Sequence, residues 1–519
     1  MLPSLLFAVL LFLLFIIFSV YIYIKMKVSS MLSSLYASPS SLSVSASATP
    51  NSPPTPPRHR GAREEDVPRV LSEAVSRGIM GRRDDGDDDE AHQCALFYDS
   101  DAFHETHLTL KAAFPSHFMH AMAVKSNPVA AFLRTACMIH GAGLECASFT
   151  EVLMAHEAGC PSHKIVYDSP CKTMKELRSA LKLGVLLNVD NFDELDRVVR
   201  IVENEMNGKL ASQEACVGVR VNPLLGSGAI ETLSVSNARS KFGMPLPDVE
   251  TRERLVGYFV KYSWLRGLHV HVGSQGCGMV MLAAGATYVV DLADEIDDRC
   301  GAKRISTIDI GGGLPSNYGS ESMGGFSFSD YVAALRKGCP RLFDTKRRVV
   351  TEFGRAIQSK IGWVAAEIEY VKNVPNVANK ADFPQKTLVT HAGADLFMRT
   401  CYSPESFPVR IEAFRCDRGS SPCVFAAKDE AVLKYDIAGP LCFGGDKIGL
   451  GIELSQHLKE GDFVVVLDSG ANCLSLWSHH CSRVPPPVFA YSRTKDNAIE
   501  IQLVKETSSS LRHTLDFWK

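Results

Sequence analysis

No two of the fifteen cysteines in this chain stand in a Cys-x-x-Cys pair, and none has zinc-ligand spacing. That absence excludes a disulfide framework, a structural zinc site and a thioredoxin-type redox motif, and points to free thiols in a reducing compartment. An excess of charge is also missing. The 55 basic and 58 acidic residues leave a net charge of −3, which gives no electrostatic footprint for nucleic acid or an anionic membrane. No internal repeat is visible beyond a strand-helix alternation. What is present is a length of 519 residues, 46% of them hydrophobic and 22% charged, enough for more than one globular domain with a sizeable core.

The N-terminus lacks charge altogether. Residues 2–24 carry none, no basic residue precedes them, and Lys25 and Lys27 follow. The run is long enough to span a bilayer and reads as a signal anchor over residues 1–27, with the downstream chain on the cytoplasmic side. A stretch rich in Ser, Ala and Pro follows, Ser29–Pro57, and the first acidic residues are Glu64 and Glu65. An acid-poor, Ser-rich tract after an apolar leader also fits a cleaved two-part plastid address. Residues 82–90, with six acidic groups, read as a solvated linker. Residues 28–93 are therefore expected to be linker or targeting sequence, with the folded part beginning near Cys94.

Between residues 117 and 352 eight short apolar runs alternate with helical patterns: 117–125, 143–148, 165–169, 185–190, 216–221, 265–273, 306–311 and 348–352. The alternation predicts an α/β fold, a parallel (β/α)8 barrel over 116–355, with a doubly wound open sheet as the alternative. Lys125, Glu145, Asp190, Arg220, His271, Asp309 and Glu352 fall near the C-terminal ends of these runs. That is the face on which barrels build active sites. After Arg355 the runs 363–371, 386–390, 409–415, 463–467 and 498–504 predict a C-terminal β domain over 356–519, with 94–115 as its first part.

Five segments carry the chemistry: Ala-Val-Lys-Ser-Asn-Pro around Lys125, His-Val-His-Val-Gly-Ser-Gln (269–275), Asp-Ile-Gly-Gly-Gly-Leu-Pro (309–315), Thr-Glu-Phe-Gly-Arg (351–355) and Gly-Pro-Leu-Cys-Phe-Gly-Gly-Asp (439–446). Each is weak alone. A Lys is usually solvated, Gly-Gly-Gly is often only a turn, and Glu352 could merely pair with Arg355. Together they offer an amine, a flat ring, a phosphate cradle, a carboxylate and a thiol, the set that pyridoxal phosphate requires.

In order and spacing these motifs resemble the fold-type III pyridoxal-phosphate decarboxylases of diaminopimelate, ornithine and arginine, over about residues 94–505. Ser-Lys-Phe-Gly (240–243), Tyr-Asp-Ile-Ala-Gly-Pro-Leu-Cys (435–442) and Asp-Ser-Gly-Ala (468–471) look most like the diaminopimelate branch. Leu-Glu-Cys-Ala-Ser (144–148) and Ser-Pro-Cys-Lys (169–172) look closer to the ornithine branch. The resemblance implies that Lys125 carries the cofactor as a Schiff base, its pKa lowered by burial and neighbouring cations. It implies that His271 stacks on the ring and that Ser274, Gly311, Gly312, Gly313 and Arg355 hold the phosphate. Glu352 would pair with the ring nitrogen, Arg399 would bind a distal substrate carboxylate, and Cys442 would reach the site of a partner subunit in a homodimer. No metal is implied. Two positions depart from the pattern: Phe443 stands where a carboxylate normally meets a distal amine, and Asn472 replaces a Tyr near the cofactor. The expected activity is decarboxylation of diaminopimelate to lysine. Decarboxylation of another acidic amino acid and a catalytically silent cofactor-binding regulator are the alternatives.

Overall fold

The computed structural model describes residues 62–81, 91–318, 326–344, 347–375, 383–416, 424–425, 431–507 and 515, all within one compact unit that runs from Pro56 to Lys519. Helix α1 (Asp66–Ser76) and strand β1 (Cys94–Asp99) come first. Eight strands follow: β2 (Phe118–Ala123), β3 (Gly143–Cys146), β4 (Ile165–Tyr167), β5 (Leu186–Val189), β6 (Cys216–Asn222), β7 (Leu265–His269), β8 (Thr307–Asp309) and β9 (Arg348–Thr351). All eight pair in parallel. β9 returns to β2 through Val349 and Phe118, and β5 meets β6 through Leu186 and Cys216, so the ring is closed. Closure rules out the open doubly wound sheet and yields the (β/α)8 barrel.

Local sequence explains the helices between strands. Met174–Leu183 starts in a capping box, with Thr173 and Glu176 each accepting the other's backbone N–H, and it stops at Gly184 with φ of +73°. A left-handed residue there costs glycine nothing. Its Leu177, Ala180 and Leu181 face the core.

A ten-stranded sheet follows the barrel. Its labelled members are β10 (Gly362–Asn373), β11 (Lys386–Thr390), β12 (Arg410–Arg415), β13 (Val432–Ala438), β14 (Lys447–Ser455), β15 (Phe463–Leu467), β16 (Val488–Arg493) and β17 (Ile499–Lys505). β1 lies inside this sheet, antiparallel to β10 and parallel to β16. The two-residue period of the strands is legible in the packing. Leu96, Tyr98, Val364, Ala366, Val464 and Val466 join the main core, while Phe97, Trp363, Phe463 and Val465 face the opposite side. There Phe97 stacks on Trp363 with ring centres 4.5 Å apart.

That outer face is covered by α1, through Val67, Val70, Leu71 and Ala74. Two ion pairs and a backbone hydrogen bond pin it and the residues before it in place: Arg493 donates to Asp66 at 2.7 Å, Arg410 pairs with Glu64, and Ala62 N–H bonds the Lys360 carbonyl at 2.8 Å. The folded part therefore begins by residue 62, not near Cys94 as the composition predicts. The apolar spacing 67, 70, 71, 74 is a helical stripe that the surrounding charges obscure. A second correction concerns the thiols. Cys416 is disulfide-bonded, while the other described cysteines are free; missing motif spacing excludes a framework but not a single bridge. Among the described residues no helix is long and apolar enough to cross a membrane, and the apolar run 2–24 lies outside them.

Candidate active site

The C-terminal ends of the barrel strands bring the charged residues together. Lys125 sits in a single turn, Val124–Ser126, just after β2. Its Nζ lies 2.5 Å from both carboxylate oxygens of Glu145 on β3. Glu145 is fully buried, whereas the Lys125 side chain is half exposed. Burial works to lower the Lys125 pKa, but the charges of Glu145, Asp168 and Glu352 outweigh it and hold the amine above its ordinary value. The lowered pKa expected for Lys125 is thus reversed, because carboxylates rather than cations surround it. Glu145 is the group placed to accept the amine's proton.

Glu352 follows β9 directly. Its backbone N–H bonds the Gly311 carbonyl at 2.8 Å, so it is tied to the glycine run. Its carboxyl is buried, with Oε2 3.6 Å from His269 Nε2 and 3.8 Å from His271 Nδ1, and among the described residues Oε1 has no hydrogen-bond partner. Burial, reinforced by the Asp168 charge, pushes its pKa up to about 8. Glu352 makes no ion pair with Arg355, whose Nη1 instead donates to the Tyr318 hydroxyl at 2.6 Å.

His271 lies beyond the end of β7, not on the strand as its apolar run predicts. Its Nδ1 accepts the Gly312 N–H at 3.1 Å. Burial, with the Arg220 and Lys125 charges, lowers its pKa well below the ordinary value. The ring is therefore neutral and fixed in one tautomer.

The glycines are needed for this convergence. Gly311 and Gly313 have φ of +67° and +99°. A Cβ on Gly311 would stand 2.6 Å from His271 Nδ1, and on Gly312 or Gly313 it would run into the carbonyl of Glu352 or Gly273. Ser274 is the next residue after Gly273, and its N–H bonds the Leu233 carbonyl at 3.0 Å. Gly354 lets the segment carrying Arg355 pack on the Lys125 turn, since a Cβ there would lie 2.8 Å from Ser126. Arg355 is buried, and among the described residues its Nε has no partner.

The β domain contributes Arg399, on the helix Ala394–Tyr402, with its guanidinium 5.4 Å from the Phe407 ring centre. Burial and the nearby Arg355 charge lower its pKa. Among the described residues neither Arg355 nor Arg399 has a carboxylate partner. Asn472 donates its N–H to the Ser126 carbonyl at 2.8 Å, beside Lys125. Cys442 is exposed, and among the described residues no hydrogen bond joins it to the barrel cluster. Phe443 stacks on Tyr402 at 6.0 Å and meets His480 edge-on. Asp446 is buried and accepts backbone N–H groups of Ala394 and Leu441, each at 2.6 Å, so its carboxylate is structural.

Sequence reasoning passed over several members of this cluster. Asp168, one residue past β4, lies 3.6 Å from Arg220 and 4.0 Å from His269. It carried the same signal as Glu352, an acid just beyond an apolar run. His269 stands in the motif with no role implied by the resemblance, and nothing in the sequence marks Tyr318.

These residues fit pyridoxal phosphate. A buried carboxyl oxygen without a partner suits a ring nitrogen, a neutral imidazole suits a ring face, and the glycine run with an unpartnered arginine nitrogen suits a phosphate. The pyridoxal-binding domain shared by pyridoxal-dependent decarboxylases matches residues 100–359. Diaminopimelate decarboxylase from Aquifex aeolicus is 27% identical over 390 residues, covering 74% of this chain and 83% of that protein. The Pseudomonas fluorescens enzyme of the same name is 29% identical over 367 residues, covering 70% and 78%. In fold, diaminopimelate decarboxylase from Helicobacter pylori complexed with L-lysine superposes with a TM-score of 0.67 at 22% identity, over 82% of this chain and 97% of that one. Lysine/ornithine decarboxylase from Vibrio vulnificus complexed with cadaverine gives 0.62 at 20% identity, over 83% and 99%. The chain belongs to the pyridoxal-dependent decarboxylases, carboxy-lyases that work with pyridoxal phosphate.

Proposed function

We propose that the enzyme removes the α-carboxylate of a dicarboxylic amino acid, with diaminopimelate as the leading substrate and lysine as the product. The observation that carries this reading is the second arginine. Arg355 belongs to the phosphate cradle, which leaves Arg399 as a half-buried cation for a carboxylate that is not the one lost. Diaminopimelate carries such a distal carboxylate.

When bound, pyridoxal phosphate supplies an electron-poor ring that takes up the electron pair left as carbon dioxide departs. Lys125 would hold the cofactor through its amine, and Glu145, 2.5 Å away, would take and return the proton at Nζ. Glu352 would keep a proton on the ring nitrogen. His271 would cover one ring face, while Ser274, Gly311, Gly312, Gly313 and Arg355 would bind the phosphate. Cys442 and Lys125 are the candidate proton donors to the product carbon. Cys442 is exposed, and we assign it to the site of a second subunit in a homodimer. The apolar run 2–24 serves as a membrane anchor in this reading, and as a cleaved plastid leader in the alternative.

Phe443 favours a second reading. In place of a carboxylate it offers the Tyr402–Phe443–His480 aromatic group, which has no anionic acceptor for a distal ammonium. Loss of that partner would cost roughly a few kcal/mol. Asp446 is committed to backbone groups, so of Asp446 and Glu405 it is Glu405, which is exposed, that could compensate. An acidic amino acid without a far amine would then be the better substrate. A silent regulator is disfavoured by the retention of Lys125, Glu352 and Cys442. The test is carbon dioxide release over diaminopimelate and simple acidic amino acids, by wild type and Phe443→Glu. Diaminopimelate turnover should improve in the variant. Efficient wild-type turnover that falls in Phe443→Glu refutes the second reading, and no release from any substrate refutes both.

A further inference from the structure

We propose that Tyr318 is a positioning residue of the phosphate subsite: it holds Arg355 on the cofactor's phosphate. The inference rests on the assignment of Arg355 and the three glycines to the phosphate.

Among the described residues neither Arg355 nor Arg399 has an acidic partner, and the Arg355 charge helps to lower the Arg399 pKa. Such a pair could share one anion. A phenol anchors one of them. The Tyr318 hydroxyl accepts from Arg355 Nη1 at 2.6 Å, and the Arg355 guanidinium centre lies 5.8 Å from the Tyr318 ring centre. A phenol that accepts from arginine keeps its own O–H to donate, so it can satisfy one nitrogen of the fork and still serve an anion. A planar fork must be aimed before it can grip phosphate with two parallel bonds.

The segment that carries Tyr318 is itself fixed. It leaves the glycine cradle at Leu314 and Pro315, both buried. The Gln275 side chain then clamps the Ser316 backbone, donating to its carbonyl at 2.6 Å and accepting its N–H at 3.0 Å. The Ser316 hydroxyl donates to the Arg355 carbonyl at 3.3 Å and accepts from Ser359 at 2.7 Å. The loop after the glycines is thereby joined to both other phosphate elements, the Ser274 segment and the Arg355 segment. Tyr318 is the one member of this set whose side chain reaches the guanidinium.

The test compares pyridoxal phosphate with pyridoxal, which lacks the phosphate. Apo-protein is titrated with each, followed by absorbance, for wild type, Tyr318→Phe and Arg355→Ala. Phe keeps the ring of a residue that is only half-buried, and melting of each apo-protein reports the fold. Tyr318→Phe should weaken pyridoxal phosphate about tenfold, the scale of one charge-assisted hydrogen bond, and leave pyridoxal binding within about twofold. Equal losses on both ligands, or none on either, overturn the proposal. So does a raised substrate KM with pyridoxal phosphate binding unchanged, because Tyr318 would then act on Arg399. If Arg355→Ala fails to discriminate the two ligands, the phosphate assignment itself falls. If only Tyr318→Phe fails to discriminate, the phosphate assignment stands and Tyr318 is packing.

Discussion

Glu145 and Glu352 are both buried glutamates at strand ends, yet their surroundings give them different work. Glu145 has Lys125 at 2.5 Å, while one oxygen of Glu352 has no partner among the described residues. Burial and the Asp168 charge keep the proton on Glu352 up to about pH 8 in the folded protein, against an ordinary value of 4.5. The sign of the linkage follows. Between those values the unfolded chain has released this proton and the folded chain has not, so rising pH favours unfolding across that window. Apo-protein should lose melting temperature as pH rises from about 4.5 to 8, and Glu352→Gln should flatten that slope. The same variant should still bind cofactor but turn over at least about a hundredfold more slowly, each tenfold being about 1.4 kcal/mol of barrier. An unchanged slope together with near-normal turnover would remove Glu352 from both roles. At this scale much of the site was legible in the sequence, because Lys125, Glu352, His271 and the glycines each close an apolar run. The sign of the Lys125 shift was not, since it depends on a strand pairing that sets Ala123 beside Glu145. Tyr318 was hidden for a similar reason: its role exists only through Arg355, 37 residues away.

Among the elements, α1 is the one that composition hides and that the sheet needs as a cover. Val67, Val70, Leu71 and Ala74 cover a sheet face that otherwise exposes Phe97, Trp363, Val465 and Tyr491. Burying the two valines and the leucine contributes roughly 5 kcal/mol or more at about 1.5–3 kcal/mol each, an upper-range figure because the unfolded chain is already compact. That is comparable with the net stability of a typical domain. A chain starting at Ala62 should melt like one carrying the preceding residues, whereas a chain starting at Ala91 should melt far lower or aggregate. Equal melting of the two shortened chains would show that α1 is dispensable. Strand ends were the least legible part of the elements. Hydropathy placed the sixth barrel strand, β7, over 265–273, but the hydrogen-bond ladder stops at His269, because buried loop residues are as apolar as the strand that leads to them. β13, β14 and β16 escaped notice because their polar and apolar residues alternate irregularly: Tyr435 and Ile437 are buried on β13, yet two register shifts interrupt its pairing with β14.

For the whole molecule, the site is incomplete within one chain if Cys442 is its proton donor. Lys125 and Glu352 converge at the barrel mouth, while Cys442 is exposed on the β domain with no hydrogen bond to that cluster among the described residues. A two-fold dimer resolves this, since an isologous interface brings the same loop of each chain to the other chain's barrel. The consequence is a complementation experiment. Lys125→Ala protomers lack the cofactor lysine, and Cys442→Ala protomers lack the donor, so each homodimer should be nearly inactive. After subunit exchange at equal amounts, half the dimers are mixed. In each mixed dimer one site draws Lys125 and Cys442 from different wild-type positions and is intact, while the other lacks both. Recovered activity should approach about a quarter of wild type. Exchange demonstrated by tagged subunits but without recovered activity would place both residues in one chain's site. A fully active monomer would do the same, and the Cys442 loop would then have to close onto its own barrel.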